Sequence, residues 1–145
     1  MIRGLAAAVL CGFLFFGCSF LFVHDPEEAR QAATRFIDTL YIKGDFEALP
    51  EMMLKESVEA GGVESVKQAG EMFKRRYKKL DGIKAGFYLI EGRVISVFYM
   101  GLSEEDMSYH RVILTRGKDS EYLVKSASFS ETPYTGYRTA QYFKN

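Results

Sequence analysis

Between residues 29 and 41, apolar side chains fall at Ala29, Ala32, Ala33, Phe36, Ile37, Leu40 and Tyr41. These three- and four-residue steps are the period of an amphipathic helix. Asp25 can cap it, Pro26 suits the first helical position, and Glu28 stands at the capping-box spacing. Lys43-Gly44 ends it with a cation and a glycine, as a last helical turn favours. Residues 45–54 read as a second, shorter helical piece broken near Pro50, and 55–62 as a loop closing on Gly61-Gly62. Residues 63–80 read as a third helix with Val66, Phe73, Tyr77 and Leu80 on one side, ended by Asp81-Gly82. From Ile83 the period falls to two. Four strands are predicted at 83–90, 93–101, 107–115 and 121–130, joined by turns at Glu91-Gly92, at Leu102 to Asp106 and at Arg116 to Ser120. Thr132-Pro133 closes the last one, and the tail carries Tyr134, Tyr137, Tyr142 and Phe143.

Ahead of the first helix the pattern differs. Met1-Ile2-Arg3 is followed by GLAAAVLCGFLFFGCSFLFV, 4–23, without a charge. A short basic start and an apolar core are the parts of an export signal. Phe15-Phe16-Gly17-Cys18 resembles the lipobox of bacterial lipoproteins, in which a small residue lets a peptidase reach the bond and the next thiol carries a diacylglycerol. That assigns 1–17 to a signal segment, Gly17-Cys18 to the cleavage site, Cys18 to lipid attachment and 18–24 to a tether. The alternatives are an uncleaved anchor over 4–23, long enough to span a bilayer, and simple cleavage after Ser19. In the first two, Arg3 stays on the cytoplasmic side and the domain from residue 25 lies across the membrane, tethered to it. Both cysteines, Cys11 and Cys18, sit in this run, so the rest of the chain has no disulfide framework and no thiolate metal site.

Helices followed by an antiparallel meander make an α+β domain. The order of a long capped helix, Gly44-Asp45-Phe46-Glu47-Ala48-Leu49, a further helix and four long strands resembles the nuclear transport factor 2-like superfamily, in particular its small secreted bacterial domains. Their last strands often read Gly-x-Trp-x-Val. The corresponding piece here is Ser120-Glu121-Tyr122-Leu123-Val124, with Tyr in the Trp position and no glycine before it. The resemblance covers 25–130 and leaves 131–145 as a C-terminal tail. It implies N-terminal helices packed on a curved four-stranded sheet, cone-like, with a pocket in the cone. The fold carries isomerases, dehydratases, ligand binders and assembly modules, so it does not select a function.

The candidate chemistry is sparse. His110 lies on the third strand, and if Arg111 faces solvent, His110, Val112 and Leu114 point inward. Enzymes of the resembled superfamily often place His, Asp or Tyr in the cone for acid–base work, which needs a base and a partner that holds its geometry. No strand offers an inward carboxylate, since Glu91 and Glu121 are at turns; Asp38 on the first helix is the one candidate partner. His110 with Tyr88, Tyr99, Tyr109 and Tyr122 forms the candidate pocket lining. The run Lys74-Arg75-Arg76-Tyr77-Lys78-Lys79 is the densest in charge. Its Lys74, Arg75, Lys78 and Lys79 are candidates for contact with anionic headgroups; the plainer reading is a solvated helix face. Glu104-Glu105-Asp106 lacks the alternate spacing of a calcium loop. Nineteen Lys and Arg balance nineteen Asp and Glu, and no phosphate loop, nucleophile triad or metal-spaced His pair occurs. No catalytic residue, cofactor, metal or nucleic-acid partner is assigned. The expectation is a non-catalytic, membrane-tethered lipoprotein of the cell envelope that binds a small ligand or serves an envelope protein. The alternatives are a cone-pocket enzyme using His110 as acid and base, or a purely structural assembly domain. An open cone would favour binding or catalysis, and a filled one assembly.

Overall fold

The computed structural model describes residues 22–77, 80–104 and 106–144. The signal segment, Gly17-Cys18, Cys11, Lys78, Lys79 and Glu105 lie outside them. Among the described residues no helix is long and apolar enough to cross a membrane.

Helix α1, Pro26–Ile37, begins as its sequence demands: the Asp25 carboxylate accepts from the backbone N–H groups of Glu27 and Glu28 at 2.9 and 3.1 Å. The predicted helix continues to Lys43, but its last six residues, Asp38–Lys43, form a π-helical turn ended by Gly44 at φ 67°. Thr39, Leu40 and Tyr41 are buried consecutively in this turn, a wider face than the apolar stripe alone predicts. Pro50 does not break a helix. It sits in the first turn of the short α2, Leu49–Met52, behind a 3₁₀ turn at Phe46–Ala48, where its missing N–H costs nothing. The expected loop at 55–62 contains a further short helix, α3, Lys55–Glu59. Helix α4 spans Gly62–Tyr77, and Leu80 is buried beyond its end.

The sheet is antiparallel throughout, in the order β4-β3-β2-β1-β5 and not closed. Its strands are β1 Gly82–Glu91, β2 Val94–Leu102, β3 Met107–Arg116, β4 Tyr122–Ser130 and β5 Gln141–Tyr142. Five strands replace the four expected, because the tail folds back as an edge strand beside Phe87 and Tyr88. Two residues in extended conformation carry too little periodicity to be read from sequence. Bulges at Gly86 in β1 and Lys125 in β4 shift the register and bend the strands.

Helix α1 touches all four long strands. Phe36, Ile37 and Leu40 are fully buried with Ile95, Val97, Val112, Leu114 and Val124 of the facing sheet. The other sheet face is not bare. Residues 131–140 run back across it, and Tyr134 and Tyr137 lie 5.3 and 5.2 Å from the Phe98 ring, itself stacked on Phe87 at 4.4 Å. Arg111 therefore faces a covered surface rather than open solvent: it donates to the Ser96 hydroxyl at 3.1 Å and lies 5.5 Å over Phe98.

Removing a fully buried aromatic ring costs its transfer free energy and leaves a cavity. Phe36→Ala should destabilise the domain by about 3–5 kcal/mol, read from denaturant melts. A loss under about 1 kcal/mol would mean that the α1 stripe is not packed on the sheet.

Candidate functional site

The geometry around His110 decides what the interior between the helices and the sheet can do. Alternation along β3 turns His110, Val112 and Leu114 to the helix side, and all three are buried. The imidazole is packed in rings: Tyr41 from the π turn at 4.7 Å, Phe73 of α4 at 5.2 Å and Phe129 of β4 at 6.4 Å. Tyr77 stacks behind Phe73 at 4.8 Å. The Nε2 atom bonds the Ser108 hydroxyl at 2.9 Å. On its far side Gly101 leaves just enough room: a Cβ there would stand 3.0 Å from Nε2 and 2.7 Å from a Leu80 methyl. A side chain at position 101 would crowd Leu80, the Ser108 hydroxyl and that nitrogen together.

Nor, among the described residues, does a carboxylate bond the ring. Asp38 is turned outward by the π turn and pairs with Lys43 at 2.7 Å. Burial alone pushes the His110 pKa down to about 4, so the ring is neutral at pH 7. Nδ1 has no hydrogen-bond partner, and neither have the Tyr41 and Tyr77 hydroxyls beside it. Burial raises the pKa of both phenols. Three unpartnered polar atoms in one aromatic cluster stabilise less than apolar groups of the same shape would.

The four tyrosines do not converge on His110. Tyr99 is buried under α1, where its hydroxyl donates to the Arg30 carbonyl at 3.0 Å and accepts from Thr34 Oγ1 at 2.9 Å. Tyr88 lies at the β1 edge, donating to Gln141 Oε1 at 2.8 Å and packing on Phe143. Tyr109 faces the opposite side, where it lines a small apolar slot of about 210 Å³ with Phe98, Pro133 and Tyr134. Tyr122 belongs to the N-terminal arm: it bonds His24 Nδ1 at 3.1 Å and accepts the Asp25 N–H at 2.8 Å. The second His24 nitrogen donates to the Gly92 carbonyl at 3.1 Å. Phe22 packs edge-on against His24, with Arg93 6.0 Å over its ring. The last residues of the expected tether are thus docked on the domain, because a histidine with two partners and an aromatic neighbour has more to gain there than in water.

The basic helix end lies elsewhere. Arg76 pairs with Glu131 at 3.0 Å, just past the β4 end that aligns with Tyr109, while Tyr122 and the docked arm are at the other end of the same strand. At about 3.3 Å per residue those ends are some 26 Å apart. Lys74 is 5.9 Å over the Phe46 ring, and Arg75 is exposed. Among the described residues no cluster of His, Cys, Asp and Glu could hold a metal.

Two larger concavities were not legible in the sequence. One, about 640 Å³, lies between α1 and the β3–β4 turn, lined by Glu28, Glu51, Arg35, Arg116, Asp119 and Glu121 among others. The second, about 830 Å³, runs along α1 beside β1. Its walls come from residues 41 to 109 positions apart in the chain, Arg35, Thr34 and Ile42 meeting Ile83, Lys84 and Phe143, a grouping that no local spacing announces. No family model matches the chain, and neither a curated protein nor a solved structure matches it.

The depressed His110 pKa makes stability depend on pH with a definite sign. Above the ordinary value near 6.5, native and unfolded chains both hold the ring neutral. As pH falls towards 4, the unfolded chain binds a proton that the native ring refuses, so stability drops, by about 3 kcal/mol from this group. Melts at pH 7 and pH 4.5 should show a smaller acid loss in His110→Gln than in the wild type. Equal losses would mean that His110 is hydrated in the folded protein.

Proposed function

We propose that the protein is an extracytoplasmic lipoprotein with a nuclear transport factor 2-like domain, anchored at Cys18 and serving the cell envelope as a non-catalytic binding or accessory module. The observation that carries the non-catalytic part is the filled environment of His110. A general base must come within about 3 Å of the proton it takes, but the His110 Nε2 is bonded to Ser108 and lies close against Gly101, and among the described residues no carboxylate bonds the ring. Helices laid on an antiparallel sheet with α1 against all four long strands are compatible with the cone of that superfamily.

The docked arm supports a close tether. From Cys18 to Phe22 the chain can extend about 14 Å at most, and Phe22, His24 and Asp25 are held against Arg93, Gly92 and Tyr122. An acyl chain on Cys18 would keep the Gly92 turn near the lipid surface and point the β2–β3 connection away from it. The cations of α4 then face the aqueous side, which favours the solvated-face reading of Lys74 and Arg75 over headgroup contact.

Metabolic labelling with a palmitate analogue should mark the wild type, and intact mass should show loss of residues 1–17. Cys18→Ser should be unlabelled and keep its precursor length. An unlabelled wild type with an intact Met1 end would replace the lipoprotein by an uncleaved anchor over 4–23. His110→Gln should fully complement any phenotype of the gene's deletion; failure to complement while folding and localising normally would restore the cone-pocket enzyme.

A further inference from the structure

We propose that the groove between α1 and β1 binds a small amphipathic carboxylate, an acid with an apolar body. This deepens the binding-module reading and rests on it. Its sign of charge comes first. Arg30, Arg35, Lys84 and Lys144 line the groove against a single acid, Asp38. Asp38 is neutralised by Lys43 and Arg30 by Glu27. Among the described residues Arg35, Lys84 and Lys144, all exposed, have no ion-pair partner. Three uncompensated cations around one concavity attract an anion, and an arginine fork suits a carboxylate.

The apolar part has its own seat. Ile42 is 46% exposed although it follows three consecutive buried residues. The π turn places it on the groove wall, facing the Ile83, Ala85 and Phe143 side chains that line the other parts. π turns recur at functional sites. The buried Tyr99 hydroxyl in the lining is already satisfied, using its proton on the Arg30 carbonyl and its lone pair on Thr34. A ligand therefore meets no unpaired tyrosine hydroxyl; Gln31 and Thr34 are the neutral polar side chains of the lining, set among its cations and hydrocarbon. The volume, about 830 Å³, falls in the range of small-molecule sites. The neighbouring concavity lacks this bias, since Glu28 and Arg116 pair with each other there and Glu51, Asp119 and Glu121 outweigh Arg35.

The test is photolabelling of the full chain in nanodiscs of neutral lipid with 4-benzoylbenzoate, beside neutral benzophenone and a trimethylammonium analogue of the same ring system. The carboxylate should label peptides containing Ile42 or Ile83 about tenfold more than the cationic analogue does, and Arg35→Glu with Lys84→Glu should cut that labelling by about tenfold. Both substitutions are at exposed positions, and an unchanged thermal melt would show that the fold is intact. Equal labelling by all three probes, labelling indifferent to the charge reversals, or label confined to the Phe98–Tyr134 slot would each overturn the assignment. Intact mass of the same preparation reports acylation separately: groove labelling in an unacylated chain would support the groove while the lipoprotein reading falls.

Discussion

The structure depends on one burial. Helix α1 lays Phe36 and Ile37, both fully buried, into the sheet, the π turn adds Leu40 to the same core, and each of the four long strands touches α1. An isolated helix of this length is marginal in water, and a bare antiparallel sheet would expose one apolar face. Each solves the other's problem. The bulges at Gly86 and Lys125 follow from this, since a flat sheet could not bring its outer strands to the same helix.

The same burial explains why the interior is a poor place for chemistry. Once α1 is seated, the space towards the β2–β3 end is closed by Tyr41, Phe73, Tyr77 and Phe129 around His110. Interiors are close-packed, and a ring packed on this many faces has no room for a substrate. The unpartnered hydroxyls of Tyr41 and Tyr77 show that aromatic bulk, rather than polar complementarity, fills this end. A histidine that burial keeps neutral at pH 7 and that bonds one serine is what the proposed non-catalytic reading rests on.

Much of the fold was legible because its signals are local. The α1 cap at Asp25, the inward alternation of His110, Val112 and Leu114, and three of the four connecting turns could be read from spacing alone. The π turn could not, because one added residue changes the period within six positions. The fifth strand could not, because its two residues are extended only by virtue of β1. The candidate site was legible in the negative: the lack of an inward carboxylate on the strands could be read from alternation, and Asp38 is drawn off by Lys43. The four strand tyrosines looked like one set and went to four places. Tyr88 went to the β1 edge, Tyr99 under α1, Tyr109 beneath the tail and Tyr122 to His24. Sequence records that a tyrosine is in a strand, but its neighbours across the fold depend on register, and two bulges had moved the register.

The tail gives the sheet a second layer that α1 cannot provide. Without residues 131–140, Phe87 and Phe98 would face water on the side opposite the helices; with them, Tyr134 and Tyr137 cover the pair, and the chain ends at β1 with Phe143 donating its backbone N–H to the Gly86 carbonyl. That last bond uses the residue the β1 bulge leaves over, so the irregularity that bends the sheet also fixes the end of the tail. Phe143 then stands under the Arg30 guanidinium, 5.3 Å from its ring centroid, and becomes a wall of the groove beside α1. The groove is therefore made by the two elements that finish the sheet on either side, the first helix and the last residues of the chain. Covering both faces used up the interior, and the concave surface left over lies along the seam between them.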